Sequence, residues 1–82
     1  MKIKILTLDK KVFDGFSPEV VLPGEDGEFS VLDFHAPCLY RLRLGVIQIK
    51  PKNFKKEKER RLSIREGIAR IIGNELVIMC ET

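Results

Sequence analysis

Tyr40-Arg41-Leu42-Arg43-Leu44-Gly45-Val46-Ile47-Gln48-Ile49-Lys50 decides the fold class. Apolar and polar residues alternate with a period of two, which is the signature of a half-buried strand. Tyr40, Leu42 and Leu44 share one face and Arg41 and Arg43 the other. Gly45 interrupts the alternation, Val46 to Lys50 resumes it, and Pro51 ends it. Working outward, the same punctuation recurs. Lys2 to Ile5, Glu19 to Leu22, Phe29 to Leu32, Arg61 to Arg65, Gly67 to Ile72 and Glu75 to Cys80 read as strands, separated by Gly, Pro, Asn and Asp. Gly73-Asn74 is a two-residue hairpin signal. Lys10 to Gly15, around Val12 and Phe13, reads as a turn region. Strands at this spacing predict an all-β sandwich or barrel.

The stretch Lys52 to Arg61 is rich in helix formers but carries one apolar residue, Phe54. It has no stripe to bury, and a short helix does not hold by itself in water. A solvated hairpin tip is expected there. At 82 residues the chain fits one domain, 1–82, burying roughly 60% of its unfolded surface. Hydrophobic residues make up 44% and charged residues 33%, which is too apolar for disorder and too charged for a membrane interior. The N-terminal MKIKILTLDKKV lacks the apolar region of a signal peptide. A soluble, cytoplasmic protein is expected.

Charge is uneven. The net +3 hides a balance of +5 over Lys50 to Arg61 and −2 over the rest. The basic segment could track phosphates, so a small nucleic-acid-binding β-barrel is the alternative reading. Such sheets usually also present aromatics for stacking. Here five of the six aromatics lie outside the segment at positions that read as core or loop. A solvated hairpin whose charge discourages edge-to-edge association is the simpler account.

Three clusters carry residue types capable of chemistry. Gly24-Glu25-Asp26-Gly27-Glu28 is a turn by its Pro and Gly surroundings, or a docking loop for a basic partner. It lacks the ligand spacing of a calcium loop. Asp33-Phe34-His35-Ala36-Pro37-Cys38 brings together His and Cys, but residues so close in sequence are not expected to face one another, and no third group orients them. Cys38, Cys80 and His35 do not complete a zinc site without a carboxylate. Two cysteines without a CxxC pair are expected to be reduced. No catalytic residue, metal or cofactor is expected.

Val20-Val21-Leu22-Pro23-Gly24-Glu25-Asp26-Gly27-Glu28-Phe29-Ser30-Val31-Leu32, followed by Phe34-His35-Ala36-Pro37, resembles the epsilon subunit of the F-type ATP synthase. The order of Pro, Gly, Glu, His and Pro carries the resemblance. Val12-Phe13-Asp14-Gly15, Gly45 to Ile49 and Gly73 to Ile78 extend it over the whole chain. Two departures stand out. The family's Pro-Gly before His-Ala-Pro is Asp33-Phe34, and its Ser-Gly-Gly is reduced to Gly67 within Ile64-Arg65-Glu66-Gly67.

The resemblance implies a small flattened β-sandwich of about ten short strands. It implies a non-catalytic rotor subunit of the central stalk, linking the gamma subunit to the c-ring so that ion transport and ATP synthesis are coupled. It implies a peripheral location at the cytoplasmic face of the inner (plasma) membrane, with no direct membrane or nucleic-acid contact. Glu25, Asp26, Glu28 and His35 would face the c-ring, whose loops carry an arginine in this family. Tyr40, Arg41 and Arg43 would face gamma. The family's C-terminal helical hairpin has no counterpart in these residues, so its inhibitory and ATP-binding functions are not expected here.

Overall fold

The computed structural model describes residues 1–53 and 55–82; the Phe54 reading lies outside them. Nine strands are present among the described residues: β1 (Lys2–Leu6), β2 (Lys11–Phe16), β3 (Glu19–Gly24), β4 (Gly27–Leu32), β5 (Cys38–Leu42), β6 (Gly45–Ile49), β7 (Arg60–Ile64), β8 (Glu66–Ile72) and β9 (Glu75–Glu81). They form one curled sheet in the order β2-β1-β9-β8-β5-β3-β6-β7, with β4 paired to β3. The alternating runs are strands because their apolar residues occupy one face. Ile3 and Ile5, Val20 and Leu22, Ile47 and Ile49, Ala69 and Ile71, and Leu76 and Ile78 are all buried in a single core. Each buried aliphatic side chain of this size is worth about 1.5–3 kcal/mol, so the curl is driven by joining these faces.

Turn chemistry sets the local registers. Gly73 and Asn74 both have positive φ, 59° and 57°, as a type I′ hairpin requires, and Ile72 pairs Glu75 across it. Glu25-Asp26 make the equally short β3–β4 connection, closed by Gly24 opposite Gly27. A Cβ at Gly24 would stand 2.7 Å from both the Gly27 carbonyl oxygen and the Phe29 ring. Glycine is therefore required there for packing, not for a positive φ. β6 and β7 form the expected hairpin, from Gly45 opposite Ile64 to Ile49 opposite Arg60. Among the described residues of the connection between them there is no helix, and the Asn53 carbonyl accepts from the Lys56 and Glu57 amides.

Two expectations are corrected. The stretch Lys10 to Gly15 is not a turn region: Lys11–Phe16 is a strand, β2, along β1. Its glycine and polar residues hid its period, and pairing with β1 supplies what local propensity does not. Leu44 does not share the inward face of Tyr40 and Leu42. The strand ends at Leu42, the Arg43 amide donates to the Pro23 carbonyl at 2.9 Å, and Leu44 is 75% exposed.

The parallel pairing of β1 with β9, Ile3 opposite Leu76, closes the N-terminal strand onto the last one. The Met1 ammonium is seated there, donating to the Ser17 carbonyl and to Asp33. β2 and β7 end the sheet and meet without pairing. They are joined by side chains, with the Arg60 guanidinium 5.3 Å from the Phe13 ring centre.

Candidate functional site

The β3–β4 hairpin and β5 form one end of the sandwich. Gly24 pairs Leu42, the Glu25 amide donates to the Arg41 carbonyl at 2.9 Å, and Arg43 returns the bond to Pro23. The backbone of the acidic turn is thus stitched to β5. Glu25, Asp26 and Glu28 are exposed, and His35 is half-buried. All four border one open concavity of about 540 Å³, together with Ser30, Leu39, Tyr40 and Arg41. The proposed c-ring residues, ten positions apart at their extremes, therefore share a surface.

Its electrostatics are dominated by carboxylates. Arg41 Nε lies 3.8 Å from Glu25 Oε2, with both side chains well exposed, a geometry that contributes little. Asp26 and Glu28 have no ion pair among the described residues. The surface thus presents unspent negative charge on a rigid turn.

Loop 33–37 brings His35 back toward β5. Contrary to expectation, His35 and Cys38 do face one another, with Nδ1 3.8 Å from the Cys38 Sγ. The arrangement is still not a catalytic pair. The same Nδ1 lies 2.9 Å from the Ala36 carbonyl, which can only accept, so that nitrogen carries a proton and is no base for the thiol. Cys38 pushes the Tyr40 hydroxyl above its ordinary value, first through a side-chain hydrogen bond and then through its charge. Burial raises the Cys80 thiol, which keeps it protonated. Both cysteines are free. Among the described residues no three His, Cys, Asp or Glu side chains are grouped to hold a metal.

The three residues suggested for gamma are divided by the fold. Tyr40 points inward with Leu42 and packs against Phe29, ring centres 4.3 Å apart and planes tilted by 44°. Arg41 points outward, at the end of a sheet face that carries exposed Leu39, Ile68, Ile72 and Met79. Arg41, Ile68 and Met79 form one cross-strand row over β5, β8 and β9, and Leu6 of β1 continues it. Arg43 is exposed beyond the strand. Sequence reading missed this row, although the Leu39–Arg41 and Ile68–Arg70 alternations marked its members.

Phe34 adopts φ 63°, the left-handed region where the resemblance puts glycine. Asn74 Oδ1 accepts from its amide at 2.7 Å, and the His35 amide donates to Leu32. The loop keeps the glycine conformation with a bulky residue in place.

The ATP synthase delta/epsilon chain β-sandwich domain matches residues 1–82. The chain belongs to that family. It is 36% identical over 81 residues to the ATP synthase epsilon chain of Nitratiruptor, covering 99% of this chain and 60% of that one. It is 34% identical over 82 residues to the epsilon chain of Rickettsia bellii, covering all of this chain and 75% of that one. With the epsilon chain of Gloeothece citriformis it shares 30% over 79 residues, 96% of this chain and 54% of the relative. The chain thus spans a little over half the length of several curated relatives. Its fold matches a chain of the Euglena gracilis mitochondrial ATP synthase with TM-score 0.86 and 16% identity, covering 98% of this chain and 49% of that one. It also matches a chain in the central stalk and c-ring structure of the Tetrahymena thermophila enzyme, with TM-score 0.79 and 19% identity over 99% of this chain and 63% of that one.

Proposed function

We propose that this domain is the non-catalytic, epsilon-type sandwich of an F-type ATP synthase rotor, clamping the gamma subunit to the c-ring at the membrane surface. One observation carries the reading within the molecule: the β3–β4 turn and loop 33–37 gather Glu25, Asp26, Glu28 and His35 at one end. Family membership supports it, and favours it over nucleic-acid binding. The domain does no bond chemistry. A rigid turn with excess carboxylate meets basic loops of the ring, which steers docking and fixes register. Peripheral association at the cytoplasmic face follows from that docking; no helix of the structure, among the described residues, is long and apolar enough to cross a membrane.

For gamma, we assign the outer face of β5, β8 and β9, where Arg41 adjoins exposed Ile68 and Met79. An apolar row with a charged end is the anatomy of an interface core and rim. Tyr40 lies on the other face of β5, against Phe29 of β4, and does not meet the partner. A mutational test separates the two surfaces. Glu28→Lys should lower co-purification of the c-ring without lowering that of gamma, and Met79→Glu the reverse. Wild-type retention of the c-ring by Glu28→Lys would sink the acidic-end assignment, since Glu28 is exposed and its replacement leaves the fold intact.

A further inference from the structure

The basic segment finds no use in the acidic end. β3 runs between them, so Lys50, whose amide donates to the Glu19 carbonyl, and Gly24 lie at opposite ends of that strand, about 17 Å apart at strand rise. Part of the basic charge is spent internally. Lys50 Nζ donates to Glu59 at 2.6 Å and Arg61 to its other oxygen at 3.0 Å. Among the described residues Lys52, Lys55, Lys56, Lys58 and Arg60 have no ion pair, and only Glu57 opposes them along the loop.

Lys52, Lys58 and Arg60 border an open groove of about 410 Å³, with Glu57 also on its rim and Phe13 and Phe16 of β2 on its apolar wall beside Ile49 and Pro51. Phe16 is 69% exposed. The strand that the sequence hid thus delivers aromatics beside the free cations. Three features point to the kind of ligand. The face of Phe13 is already covered by Arg60, which leaves one ring and no platform for successive bases, as single-stranded nucleic acid needs. The site is concave, unlike a patch that lies flat on lipid headgroups. And Lys52, Lys58 and Arg60 stand on its rim against Glu57, so the charge complementary to the groove is a row of carboxylates, as an acidic polypeptide carries.

We propose that this groove binds an extended acidic polypeptide segment of a partner. Carboxylates would meet Lys52, Lys58 and Arg60, and an intervening apolar side chain would pack on Phe16. The site is separate from the acidic end and does not depend on the rotor reading.

The test titrates a capped synthetic peptide of alternating glutamate and valine into the isotope-labelled 82-residue chain, read by amide chemical shifts. Shifts confined to Phe13–Phe16 and Lys50–Arg60 are expected. Binding should weaken at least about tenfold between about 0.01 and 0.15 M salt, as the screening length falls from about 30 to about 8 Å. The double variant Lys52→Glu, Lys58→Glu, both exposed, should keep the native spectrum and lose at least about tenfold in affinity, the order expected of charge reversal at a rim. Phe16→Ala should lose several-fold. The proposal is overturned by an absence of shifts at low salt, by equal binding of a lysine–valine peptide, or by undiminished binding to the double variant. It is equally overturned if oligouridylate or phosphatidylglycerol vesicles shift the same amides at lower concentration than the peptide.

Discussion

The acidic turn and the basic loop look alike as strings of charge, yet the fold treats them oppositely. Glu25-Asp26 span two residues closed by facing glycines, and their backbone is stitched to β5. Residues 50–59 form a long connection whose anchors, among the described residues, are at its ends, Ser17 and the Lys50–Glu59–Arg61 cluster. The first presents charge on a fixed template. The second presents it on a loop beside a groove. What distinguishes them is how much backbone each leaves unpaired, and charge content alone does not report it.

The largest way to break the acidic end is Gly24→Val, because a side chain there collides with Gly27 and Phe29. Overpacking of this kind costs about 3 kcal/mol, and chemical denaturation should show the unfolding free energy fall by that amount. The basic end breaks through Ser17. Its buried hydroxyl lies 2.6 Å from the Lys50 carbonyl and 2.8 Å from that of Glu19, and accepts from the Glu19 amide. Ser17→Ala leaves buried backbone groups unpartnered and should cost about 2 kcal/mol. The loss of protection from hydrogen exchange should centre on residues 17–19 and 50, sparing the acidic turn. Equal loss at both ends would erase the contrast.

Smaller effects sharpen it. Phe34 holds a left-handed backbone that only glycine adopts freely. Phe34→Gly should therefore exceed Phe34→Ala in stability by about 1 kcal/mol, measured as a difference in denaturation midpoints. The smallest effect is electrostatic. The Lys50 hydrogen bond holds the Glu59 carboxyl below its usual 4.5. A depressed folded-state value makes the ionised form stabilising above the unfolded value, and that contribution is lost as pH falls through the folded one. Wild type and Glu59→Gln should differ in stability at neutral pH and converge in acid, as urea midpoints across that range would show. A constant gap would mean the pair is not the anchor.

Much of this was legible. The alternations at 40–42 and 46–50, the Gly73-Asn74 turn and the two charged tips are local patterns, and local patterns survive in a one-dimensional string. The Glu, His and Pro order of residues 28–37 also placed the chain in its family. β2 was not legible, since Asp14 and Gly15 interrupt its apolar residues and only β1 makes it a strand. The contact of His35 with Cys38 was misread because the return of loop 33–37 depends on Phe34, held by Asn74 forty residues away.

The sequence by itself determined the all-β class, the hairpin positions and where charge lies, because side-chain period and turn chemistry are set by neighbouring residues. The tertiary structure alone decided that β1 runs parallel to β9, that Arg41 joins Ile68 and Met79 in one row while Tyr40 turns inward, and that Phe16 stands beside Lys52 and Lys58. Those placements come from burying distant apolar faces against one another, a choice among partners that no local stretch encodes.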